Sequence, residues 1–272
     1  MFHAKHVDRG YPGNIVVRAN DTDVFLVLIT NVHQLLRSHL WYESGLNHDN
    51  SRAFHDITRL AAAILYRRAL PGLHGFTGCD YSPSFFRKGK VRPLKLMLKH
   101  QKFVEAFSSL GKEPLNSYVF SVLEEFVCCL YGVNLSSLSD GLMAQYENKC
   151  KPKVTGKPLS RVKCLEASEF MPCQPAMFKQ VERAWFIACL YKEASNDMPC
   201  GNHTPNDFGW KLSPDKERFE IDWFSGPQVP PTLDDIQTIE DENCEGNEDS
   251  SDDDQDDDDD NDENSSSDND DE

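Results

Sequence analysis

The last 41 residues, 232–272, contain 22 aspartates and glutamates and not one lysine or arginine. Like charges repel, and so few apolar side chains remain there that no core can form. Folding is therefore confined to the first 231 residues, which hold 23 acids against all 28 bases. The chain is a mildly basic body, net +5, with a strongly acidic tail, and the overall net charge of −17 describes neither part. This excludes an acidic globular enzyme packed over its whole length. The tail suits contact with basic proteins such as histones, competition with nucleic acid for the basic body, or plain solubilisation. Ser250, Ser251 and residues 265–267 lie among acids, where phosphorylation would add negative charge.

The longest apolar run, residues 24–29, is far shorter than the ~18 residues of a membrane span. The opening MFHAKHVDRG lacks the apolar stretch of a secretory signal. Nine cysteines, an odd count without such a signal, are expected to stay reduced. These features imply an intracellular protein without a membrane partner. Only Cys200 and His203 have metal-ligand spacing, so buried thiols are the expected reading of the cysteines.

Local patterning predicts an α/β body. Residues 15–17 (Ile-Val-Val) read as a short buried strand. Asp21 or Thr22 suits a helix cap, and residues 24–37 form a buried helix or strand. A strand begins at Trp41, a helix spans Ile57 to Leu65, and Pro71-Gly72 is expected to close it. An amphipathic helix is expected from Pro93 to about Phe107, further helices over 113–131 and 181–194, and a hairpin over 208–224. Residues 149–163 read as a loop with six bases and no acid.

Two carboxylates two apart, Asp21 and Asp23, follow the apolar strand, and a third, Asp80, follows Thr77-Gly78-Cys79. Strand ends in open α/β sheets are ligand sites, and clustered carboxylates suit a hard cation. Each acid alone serves equally well as a solvated or capping group. The segments IVVRANDTDVFLVLI and LPGLHGFTGCDYSPSFFRKGKVRPLKLM together resemble the PIN-like nuclease superfamily, in its flap-endonuclease branch. The phrases DTDV, LHGFTGCDY and FFRKGK are also similar to a group of animal proteins associated with mobile elements.

The resemblance spans about residues 14–100 and implies the C-terminal portion of a PIN-like three-layer fold over 1–110. A helical extension with a terminal hairpin would follow over 111–231, and a disordered tail over 232–272. It implies metal-dependent nucleic-acid processing, or its degenerate remnant, with Asp21, Asp23 and Asp80 as catalytic acids and ligands of Mg2+ or Mn2+. Two such ions ~3.5–4 Å apart would activate water and neutralise the leaving oxygen. Arg87, Lys88, Lys90, Arg92 and Lys95, helped by Lys99 and Lys102, would hold the DNA or RNA backbone without reading sequence. A nuclear location fits that partner. The pattern also requires an acid pair on a helix before the first strand, where residues 1–13 offer only Asp8. The competing expectation is therefore a non-catalytic nucleic-acid- or histone-binding protein.

Overall fold

The structure, a computed structural model, describes residues 1–45, 51–150 and 167–223. The acidic tail and most of the basic loop expected at 149–163 lie outside these residues. The chain opens with helix α1 (Phe2–Gly10) and strand β1 (Asn14–Arg18), then helix α2 (Thr22–Asn31), strand β2 (His39–Ser44) and strand β3 (Ala53–Asp56). The strands form one sheet in the order β1-β2-β3, with β1 parallel and β3 antiparallel to β2. Ile15 lies beside Leu40 and Val17 beside Tyr42.

The residues of β1 are only partly buried, against expectation. Alternation puts Asn14, Val16 and Arg18 on one face, and that face is exposed. The ambiguity over residues 24–37 is settled by a cap. Asp21 has extended backbone angles and its carboxylate accepts the Asp23 N–H at 2.8 Å, which starts a helix that buries Leu26, Leu28 and Ile29. In α1 the single acid, Asp8, is buried and accepts the N–H groups of Leu36 and Arg37, each at 3.0 Å. Its carboxylate ties α1 to the turn after α2.

Helix α3 (Ile57–Ala63) is capped by Asp56 and ends at Ile64, whose backbone is extended. Pro71-Gly72 does not close it but lies in the first turn of α4 (Leu70–Phe76). A proline there loses no helical hydrogen bond, because the first N–H groups of a helix have no partner in it. A Cβ at Gly72 would lie 2.5 Å from the Phe107 carbonyl, so glycine permits this close approach. The single helix expected from Pro93 is two helices, α5 (Val91–Lys99) and α6 (Gln101–Ser109), separated by the extended His100. Helix α7 (Ser117–Leu130) starts later than expected, because Pro114 disfavours helix before it and Asn116 supplies the cap at 2.9 Å. Helix α8 (Leu138–Cys150) was not visible as a stripe of apolar residues.

Helix α9 (Gln174–Lys192) is buried along its length, with Val181, Ala184, Ile187 and Ala188 almost inaccessible. It packs along α4, where a Cβ at Gly75 would meet Ile187 at 3.2 Å. Phe76, Phe103, Phe107 and Phe126 form the aromatic centre, with ring centroids 5.0–6.2 Å apart. The predicted hairpin consists of β4 (Trp210–Leu212) and β5 (Phe219–Ile221). It is anchored by the buried Arg183, whose guanidinium donates to the Gly209 carbonyl at 3.0 Å. The described residues belong to one compact mixed α/β unit. No helix among them is long and apolar enough to cross a membrane.

Candidate functional site

Asp21 and Asp23 both stand at the N-terminal end of α2, as their spacing implies. Asp23 reaches across to α4, where the Nε2–H of His74 donates to its Oδ1 at 2.7 Å. The carboxylate fixes this tautomer, because it can only accept. Burial, and then the nearby Lys90 ammonium, hold the His74 pKa below its usual value, while Asp23 and Asp80 pull the other way. Over the same pair lies Tyr191 of α9, its ring centroid 6.2 Å from that of His74. The Tyr191 hydroxyl is buried without a well-formed hydrogen bond, and burial together with the facing Asp23 charge drives its pKa far upward.

Asp80 does not join the other two acids directly. It is exposed at the tip of a turn in which Cys79 and Ser82 exchange both backbone hydrogen bonds, at 3.0 and 3.1 Å. Among the described residues no three His, Cys, Asp or Glu gather closely enough to share a metal ion. Asp21 is engaged as a helix cap, Asp23 by an imidazole and Asp8 by two amides. Asp8 thus has both carboxylate oxygens on protein donors, whereas Asp21 and Asp23 are each held through Oδ1. Burial also pushes the Cys79 thiol pKa upward, which keeps it protonated and a poor nucleophile beside His74.

The basic residues fall into two groups. Lys90 has a stem open to solvent, but its ammonium is turned inward. It donates to the His74 carbonyl and the Thr77 hydroxyl, each at 3.0 Å, and to the Gly78 carbonyl. These oxygens lie at the C-terminal end of α4, where a cation is favoured. Lys102 is likewise committed, in an ion pair of 2.6 Å with Glu125 of α7.

Arg87, Lys88, Arg92, Lys95 and Lys99, with the stem of Lys90, line a cleft of about 690 Å³ between the turn 86–90 and helix α5. No acid lines it. Helical spacing explains part of the arrangement: Arg92, Lys95 and Lys99 recur at three and four residues and so share one face of α5. The preceding turn supplies Arg87, which has a positive φ of 52°, and Gly89 with a φ of 55°. That backbone path brings Arg87 and Lys88 round to face the helix. The Lys88 ammonium lies 4.1 Å from the centre of the Tyr131 ring, a cation–π contact that holds its stem.

Sequence reasoning identified the acids and the basic turn but missed the partner of Asp23. His74 is 51 residues away, and no spacing rule joins the two. The inward use of Lys90 was missed for the same reason. The other aromatic and thiol candidates have packing roles: Trp185 stacks on Phe208 at 4.7 Å, and the buried Cys200 thiol faces the Phe186 carbonyl at 3.8 Å. Comparison with family models, curated proteins and solved structures gives no match, so the functional reading rests on these residues.

Proposed function

We propose that the protein binds the phosphate backbone of nucleic acid through the cleft between the turn 86–90 and α5. The observation that carries this reading is a lining of five basic side chains and the stem of Lys90, with no acid among the described residues there. Such a lining attracts a polyanion by releasing its counterions, without reading base sequence. Guanidinium groups at Arg87 and Arg92 add planar, two-pronged contacts to phosphate oxygens. The resemblance of residues 14–100 to PIN-like nucleases supports the same class of ligand, on a body of PIN-like ancestry whose acid site has been given over to structure.

The test is fluorescence anisotropy with DNA and RNA oligonucleotides over a range of salt. Affinity falling linearly in log–log form with salt, and falling further in the Arg92→Glu/Lys95→Glu variant, supports the reading. Binding that is absent at low salt, or indifferent to those charges, overturns it. The same samples with Mg2+ or Mn2+ test metal-dependent cleavage. Cleavage that disappears in Asp80→Asn would replace the binding reading with an enzymatic one.

A further inference from the structure

We infer that Tyr81 is a stacking platform for an unpaired base beside the basic cleft, which makes single-stranded nucleic acid the preferred ligand. This rests on the reading of the cleft as a phosphate-binding surface and adds what that surface selects.

Tyr81 is 63% exposed, although tyrosine normally buries much of its large apolar face. Its backbone, by contrast, is held from several sides. The two mutual hydrogen bonds of Cys79 and Ser82 leave Asp80 and Tyr81 as the tip of a closed turn. At the entry, Gly78 has a φ of +103°, and a Cβ there would come within 2.6 Å of Ser84, so only glycine fits. At the exit, the buried Trp210 donates its indole N–H to the Tyr81 carbonyl at 3.2 Å. The turn is thus fastened to the hairpin through Trp210, and to the cleft through Lys90, which holds the Gly78 carbonyl. A ring this open on a backbone this fixed contributes little to packing.

The placement suits a strand running through the cleft. Tyr81 is three residues from Gly78, so at most about 11 Å of chain separates its Cα from the residue that Lys90 grips. The turn that carries Tyr81 is thus tied to Lys90, a residue lining the cleft, and a strand held on the cations of α5 would reach the ring from there. A single strand can turn one base onto an aromatic face, whereas a duplex keeps its bases stacked inside. Asp80, at the same tip, repels phosphate and so keeps the backbone on the cationic side. The tip then offers the strand an aromatic ring for a base and no alternative path for phosphate.

The experiment compares the full chain with Tyr81→Ala, Tyr81→Phe and Arg92→Glu/Lys95→Glu on one oligonucleotide, single-stranded and as its duplex, by anisotropy at fixed salt. Thermal melting is used to verify that each variant is folded. The expected result is tighter binding of the single strand. Tyr81→Ala should lose about fivefold or more of that affinity, the effect of removing one base–aromatic stack. Tyr81→Phe should keep it, and duplex binding should be unchanged by either substitution. If Tyr81→Ala leaves single-strand affinity intact while charge reversal removes it, the stacking inference fails and the phosphate cleft stands. Equal losses in Tyr81→Ala and Tyr81→Phe, or equal losses on single strand and duplex, also overturn it. If the unaltered chain binds neither form, the cleft reading itself fails.

Discussion

The acidic end of α2 and the basic turn before α5 both carry the charges that the sequence pattern singled out, and they use them differently. In the acidic region Asp21 caps its own helix, Asp23 holds His74, and the pair lies under the buried Tyr191. In the basic region Lys90 is turned to internal oxygens, while Arg87, Arg92, Lys95 and Lys99 line an open cleft. Carboxylates can be satisfied locally by backbone N–H groups at helix starts, which are always in surplus. Arg87, Arg92, Lys95 and Lys99 line the cleft instead, where an external anion can reach them. A cluster of motif residues is thus not a site until its side chains are shown to be uncommitted.

If this division is right, substitutions in the two regions should fail in different assays. The largest effect belongs to the cleft. Arg92→Glu/Lys95→Glu should weaken nucleic-acid binding on the order of 100-fold at low salt, about 2.7 kcal/mol, and flatten the salt dependence. Its melting temperature should scarcely move. Asp23→Ala should do the reverse, lowering stability by about 2 kcal/mol in a denaturant titration because His74 loses a charge-assisted partner. Binding should survive; a variant that keeps its stability and loses binding or cleavage would return Asp23 to the active surface.

A third measurement uses a buried cation far from either region. Lys192 donates to the Ser108 carbonyl at 2.7 Å, and burial lowers its pKa to about 7. Between about pH 7 and the ordinary lysine value near 10.4 the unfolded chain binds the extra proton, so stability should rise with pH. Below about pH 7 both states carry the proton and the contribution levels off. In Lys192→Met that rise should vanish, as read from denaturation midpoints across the window. The smallest effect is at Asp80. Removing its exposed charge in Asp80→Asn should tighten oligonucleotide binding about two- to threefold, in line with one screened surface charge. Weaker binding instead would mean that Asp80 helps to hold the ligand.

What was legible in the sequence was local. The Asp21 cap, the basic turn and the hairpin at Trp210–Leu212 and Phe219–Ile221 follow from residues within a few positions of each other. The helix boundaries that went wrong did so where tertiary packing intervened. Pro71-Gly72 looks like a terminator, yet Gly72 is there because the Phe107 carbonyl presses against α4. The one helix expected from Pro93 breaks at His100, where no proline or glycine marks the point. The site followed the same rule: which acids and bases exist was readable, and which are already engaged was not, since His74 meets Asp23 across 51 residues.

His74 also joins the two regions through a single residue. Its imidazole holds Asp23, and its main-chain carbonyl accepts from the Lys90 ammonium at 3.0 Å. A phosphate entering the cleft competes for that ammonium, and whatever it draws away is released from His74. Occupancy of the basic side should therefore be visible as a change in the His74 ring resonances on titration with oligonucleotide, with no ligand touching the ring. A silent ring under saturating ligand would mean that Lys90 keeps its grip and the two regions work as strangers.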